Sequence, residues 1–241
     1  MPGLYRDEGI VLRTIKLGEA DRILTIFTRD NGKVRAVAKG VRKTKSRFGG
    51  RLEPFTRVEL LVYRGRGELD TITGADIVDA NTGVHRNFES LASATVMAEF
   101  VEKITPDREE ASPIYHLLQL GLESLGRDLG PTVLPAFMVK LLSVTGFNPE
   151  LTGCAGCGSG GFLGGFSPSL GGAVCESCWI DDPEAIGLAP ERLAWIDSLL
   201  AADFGTVASV GWVEEVTDLL RRYAEFHLER PLRSLEMLRA V

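Results

Sequence analysis

No stretch of this 241-residue chain approaches the roughly 18 consecutive apolar residues that a membrane-spanning helix needs. The start, Met1-Pro-Gly-Leu-Tyr-Arg-Asp-Glu, lacks a signal peptide's apolar core. The expectations are therefore no membrane partner and a cytoplasmic address. P-loop, H-E-x-x-H and G-x-S-x-G motifs are all absent, and the only histidines, His85, His116 and His227, are widely separated. Adjacent acids such as Glu109-Glu110, Asp181-Asp182 and Glu214-Glu215 would point to different sides of a helix, which disfavours a metal-dependent nuclease. With no catalytic cluster in sight, the chain is not expected to be an enzyme.

What is there reads as globular protein: 44% hydrophobic, 25% charged, 7% aromatic. The net charge of -6 hides a split. Residues 1–80 hold 16 Lys+Arg against 11 Asp+Glu, and residues 81–241 hold 11 against 22, so +5 is followed by -11. The field that a ligand feels is local, so the basic part has to be read by itself.

The fold class expected is α+β, in more than one domain. Residues 8–79 read as short strands at 9–17, 22–28, 33–39, 56–63 and 68–78, rich in Val, Ile, Leu and Thr. Asp30-Asn31-Gly32 joins the second and third as a hairpin, and Gly65-Arg66-Gly67 marks another. Alternation is incomplete, as expected where a sheet curls into a small barrel. A five-stranded OB-type β-barrel over residues 1–82 is the first expectation and an SH3-like barrel the second.

After about residue 86 the period changes from two to 3.6. Asn87 caps a helix whose stripe is Leu91, Ala94, Met97, Ala98, Val101 and Ile104, and Pro106 stops it. Ser112-Pro113 starts another helix. Val133 to Thr145 is apolar on nearly every side and fits the central helix of a bundle. Helices near 190–202 and 212–228 complete an α-helical bundle domain over residues 83–241, carrying a zinc-finger insertion at 153–179.

That insertion holds every cysteine in the chain. Cys154, Cys157, Cys175 and Cys178 form C-x2-C-x17-C-x2-C, within the spacing of a zinc site. Two such knuckles close a tetrahedron with no position left for water, so one structural Zn2+ per chain is expected. Two disulfides, or four reduced thiols, are the alternatives. Gly156 to Gly161 matches G-x-G-x-x-G, but no strand leads in and no apolar helix leaves, so it is not read as a nucleotide site.

Between Asp30 and Glu53 there is no acid, while Lys33, Arg35, Lys39, Arg42, Lys43, Lys45, Arg47 and Arg51 supply eight positive charges. Phe48 sits among them. Cations that track a backbone, with an aromatic on which a base can stack, are the recipe for single-stranded nucleic acid. Arg64 and Arg66 extend the strip. Two blander readings stay open: the charges serve solubility, and Phe48 packs as core.

The stretch Ala38-Lys-Gly-Val-Arg-Lys-Thr-Lys-Ser-Arg-Phe-Gly-Gly-Arg-Leu-Glu-Pro-Phe55 resembles the bacterial RecO family of DNA-repair recombination mediators. Glu8-Gly-Ile-Val-Leu-Arg13, Leu17-Gly-Glu-Ala-Asp-Arg22 and the Thr28 to Val37 hairpin carry the same likeness, so it runs in order along the chain. The resemblance implies a non-enzymatic protein that binds single- and double-stranded DNA and anneals complementary strands. It further implies that, with the partner RecR, the protein helps RecA onto DNA coated by single-stranded-DNA-binding protein, and that it is nucleoid-associated. Zinc rests on the cysteine spacing and not on this kinship. An alternative function is a zinc-ribbon regulator or RNA-binding accessory factor, against which stands the lack of any Lys or Arg in residues 153–178.

Overall fold

The computed structural model describes residues 3–238. They pack as two compact units, one made of residues up to 127 together with those from 234, the other of residues 128–233.

The first unit is built on a closed barrel of five strands in the order β1-β2-β3-β5-β4. β1 (Gly3–Leu17) is the long strand that closes it: its first half pairs antiparallel with β4 (Arg57–Arg64), its second half with β2 (Asp21–Thr28). β2 pairs with β3 (Gly32–Ala38) through the expected hairpin, where Gly32 has φ +62 and an added Cβ would lie 1.9 Å from the Glu109 carbonyl oxygen. Only glycine fits there. β5 (Asp70–Asp79) pairs with β4 and, in parallel at Ala36 and Val37, with β3. Val11, Leu24, Ile26, Ala36, Val58, Leu60, Val62 and Ile72 point inward and form the barrel core.

β1 begins at Gly3, six residues before the strand expected from the sequence. Arg6, Asp7 and Glu8 break the apolar alternation there; Arg6 is exposed, and the two acids find partners. Asp7 is buried and accepts hydrogen bonds from the Asp30 and Asn31 backbone N–H groups at 3.2 and 3.1 Å, which pins the hairpin tip. Glu8 is held by Arg57 at 3.2 Å and by the Tyr115 hydroxyl at 2.9 Å.

A single 3-10 turn (Thr82–His85) leads to α1 (Phe88–Ile104) and α2 (Ser112–Gly126). Asn87 caps α1 as expected, its side chain accepting from Ser90 N–H at 2.7 Å. Both helices belong with the barrel. Lys33 on β3 donates to the Glu102 and Thr105 carbonyls at 2.6 Å, and Arg13 pairs with Glu102 at 2.7 Å. The first compact unit thus holds the barrel together with α1 and α2.

In the second unit α3 (Val133–Val144) packs against α5 (Pro190–Ala201) and α6 (Val213–Leu228). Nine of its twelve residues are buried, Phe137, Met138, Leu141 and Leu142 among them, as an apolar central helix requires. The cysteine-bearing segment folds as a three-stranded sheet, β6 (Leu163–Ser167) between β7 (Gly172–Cys175) and β8 (Ile186–Gly187), with the short α4 (Glu176–Asp181). The last element, α7 (Leu235–Leu238), returns to the first unit, where Ser234 binds the Glu99 carboxylate on α1.

Candidate nucleic-acid interface and metal centre

The basic segment between β3 and β4 is a chain of tight turns. Arg42 N–H donates to the Ala20 carbonyl at 2.9 Å, Ser46 N–H to the Lys43 carbonyl at 2.9 Å and Arg51 N–H to the Phe48 carbonyl at 3.0 Å. The Gly40 N–H donates to the Asp21 carboxylate at 2.7 Å. Val41, Phe48 and Leu52 point into the barrel and join its core. Arg35, Lys39, Arg42, Lys43, Lys45 and Arg47 are exposed, and Arg51 is half-exposed. The loop is therefore amphipathic: its apolar residues plug the barrel and its cations face outward.

Of the two readings open for Phe48, the structure has the core one. Phe48 is 1% exposed, and the Arg47 guanidinium lies 4.8 Å from its ring centre. No apolar residue flanks it in the chain, and most of the core cluster that it joins comes from strands remote in sequence. Arg64 is also partly committed, donating to the Asn31 side-chain oxygen at 3.2 Å with its guanidinium 5.2 Å from the Tyr5 ring. Arg66 is exposed in the next hairpin. Arg47 donates to the Ile72 carbonyl at 3.5 Å, which ties the loop to β5.

In the second unit the cysteines converge. The four sulphurs of Cys154, Cys157, Cys175 and Cys178 all lie within 4.8 Å of one another, and those of Cys157 and Cys175 are 3.8 Å apart. A tetrahedron with bonds of about 2.3 Å has edges of about 3.8 Å, so the spacing fits a divalent metal held by thiolates. Gly156 makes the knuckle possible, since a Cβ there would meet the Cys178 sulphur at 3.0 Å. Burial alone would raise the Cys154 thiol, but N–H donors of Cys175, Cys157 and Gly156 outweigh it and bring it down to about 6. Cys178 is pushed up to about 12 by hydrogen bonds to the Cys154, Cys157 and Cys175 sulphurs. One site cannot hold four bare thiolates without a cation, and the donor set suits one that is soft.

Comparison with known proteins gives this arrangement a context. The family model described as Recombination protein O N terminal matches residues 1–81, and that described as Recombination protein O C terminal matches residues 85–236. The chain belongs to the RecO family. A DNA repair protein RecO from Nocardioides sp. is 42% identical over 241 residues, 96% of this chain and 98% of its own length. The one from Streptomyces coelicolor is 41% identical over 243 residues, with 96% and 97% covered, and the one from Bifidobacterium adolescentis 39% over 246, with 98% and 99%. In this RecO family DNA repair protein the first match ends two residues after β5 and the second begins in the 3-10 turn. No helix among the described residues is long and apolar enough to cross a membrane.

Two exposed residues on the barrel's outer face, Arg6 and Tyr63, went unnoticed in the sequence. The signal was present for Tyr63. Val58, Leu60 and Val62 set the inward phase of β4, which places Tyr63 outward.

Proposed function

We propose that this protein is a recombination mediator that binds DNA on the barrel at residues 1–82, anneals complementary single strands and, with RecR, assists RecA loading on DNA coated by single-stranded-DNA-binding protein. The observation that carries the reading is the loop between β3 and β4, an acid-free run of cations fastened to a closed barrel by its own apolar residues. The strand order β1-β2-β3-β5-β4 supports reading that barrel as OB-type. Arg35, Lys39, Arg42, Lys43, Lys45, Arg47, Arg51 and Arg66 are the proposed phosphate contacts for single- and double-stranded DNA, with Arg64 at the margin.

Annealing has a simple physical need. Two phosphate backbones repel, and a fixed basic surface that holds one strand while leaving its base edges free lowers the cost of encounter. No nucleotide hydrolysis and no catalytic residue enter such a step. In this reading Cys154, Cys157, Cys175 and Cys178 hold one Zn2+ whose role is to order a glycine-rich segment, the helical residues 83–241 receive protein partners, and the protein works in the cytoplasm at the nucleoid.

The test is titration of labelled single-stranded and duplex DNA across salt, with annealing of complementary oligonucleotides followed in parallel. Binding that weakens with salt, together with faster annealing, is expected. A protein that binds DNA but does not speed annealing overturns the mediator reading, and one that binds no DNA overturns the interface as well.

A further inference from the structure

Most aromatic rings of the barrel are already occupied. Phe27, Phe48 and Phe55 are buried, and the Tyr5 hydroxyl donates to Asp70 at 3.1 Å with Arg64 over its ring. Tyr63 differs: it is 47% exposed.

Register fixes what surrounds it. Tyr63 pairs with Leu4 on β1 and with Thr71 on β5, and Thr71 pairs with Val37 on β3. Residues paired across strands share a face, so Leu4, Tyr63, Thr71 and Val37 form one row across the outside of four strands. At about 4.8 Å per strand, Val37 lies roughly 10 Å from Tyr63. Leu4 is 59% exposed, so the row presents an apolar side chain on one side of the ring, with Thr71 on the other.

Cations flank this row. Arg6 is exposed and pairs with Leu61, two residues before Tyr63 and on the same face. Arg35 precedes Val37 by two residues on the same face of β3, and it too is exposed. Arg47 bonds to the Ile72 carbonyl, one residue from Thr71, which brings the basic loop to the edge of the row. Exposed acids bound the area: Glu59 and Asp76 farther along β4 and β5, and Glu68 in the hairpin.

We propose that Tyr63, with Leu4 and Thr71 beside it and Arg6, Arg35 and Arg47 around it, is a base-stacking subsite for single-stranded nucleic acid. It rests on the reading of the barrel as a DNA-binding surface and adds the element that tells single strands from duplex. Cations attract any phosphate backbone, paired or not. An aromatic ring needs the face of a base, which in a duplex is covered by the next base pair and in a single strand is available. Stacking on Tyr63 tolerates any sequence and leaves the pairing edge of the base open to a complementary strand.

The test uses the full chain with labelled oligothymidine and a labelled duplex of equal length, titrated at several salt concentrations, for the parent, Tyr63→Ala and Tyr63→Phe. Tyr63→Ala is expected to weaken oligothymidine binding about 5- to 150-fold with its salt slope unchanged, and to leave duplex binding alone. Tyr63→Phe keeps the ring and is expected to match the parent, and thermal melts of both variants control for folding. Equal loss on both ligands, or no loss on oligothymidine, overturns the subsite while leaving the basic loop in place. A parent protein that binds neither ligand overturns the subsite and the DNA-binding reading together.

Discussion

Phe48 makes folding and binding separable at a single position. With its ring in the barrel core, Phe48→Ala is expected to destabilise the first unit by about 3–5 kcal/mol, the usual cost of deleting a buried phenyl group. Chemical denaturation would measure it, and the fraction still folded is expected to bind DNA with the parent's salt slope. Loss of affinity without loss of stability would reverse the assignment. At the metal centre, each knuckle alone is half a tetrahedron, so the purified protein is expected to carry about one zinc and Cys175→Ser to lose most of it. Protons compete with the metal for all four sulphurs, so occupancy should fall as pH falls, which elemental analysis after dialysis at stepped pH would follow. The cysteines were legible because their spacing alone brings the ligands together. The burial of Phe48 was not, because the core cluster that it joins is drawn from all five strands.

Among elements, α3 and β1 stand at opposite ends of legibility. α3 announces itself by being apolar all round, and Phe137→Ala is expected to cost about 3–5 kcal/mol in an unfolding titration, with DNA binding retained in whatever remains folded. The first half of β1 was hidden by an exposed Arg6 and by Asp7 and Glu8, whose partners are distant in sequence. α1 adds a pH response. Burial would raise the Glu99 carboxyl, but hydrogen bonds from Lys103 and Ser234 outweigh it and hold it below the ordinary carboxylate value. The folded state therefore binds this proton less readily than the unfolded chain. The contact stabilises above the ordinary carboxylate pKa and is lost as pH falls through the lowered one. Glu99→Gln is expected to make the acid limb of a stability–pH curve shallower, and an unchanged limb would assign that limb to other carboxylates.

For the molecule as a whole, the charge split decides how salt acts. Neutralising Z phosphates of a single strand gives a log–log slope of roughly -0.7Z, so about five contacts from Lys39, Arg42, Lys43, Lys45 and Arg47 give about -3.5. Replacing Arg42 and Lys43 by Ala should make the slope shallower by about 1.4 and weaken every sequence alike. A folded double variant with the parent's slope and annealing rate would remove the loop from the interface. The change from strands to helices near residue 86 was readable from periodicity. The compact units were not, since α1 and α2 join the barrel through Lys33, Arg13 and Glu8, single polar contacts that no pattern announces.

The long β1 also sets a timetable for synthesis. Gly3 pairs with Arg64, 61 positions later, so at about 5–20 residues per second the first half of this strand waits some 3–12 s before its partner has been made. Until then it presents an unpaired edge, the kind of template on which nascent chains mispair. Arg6, Asp7 and Glu8 lie along that edge, and charged side chains are what discourage such pairing. The residues that obscure the strand in the sequence thus guard the newborn chain until the barrel closes.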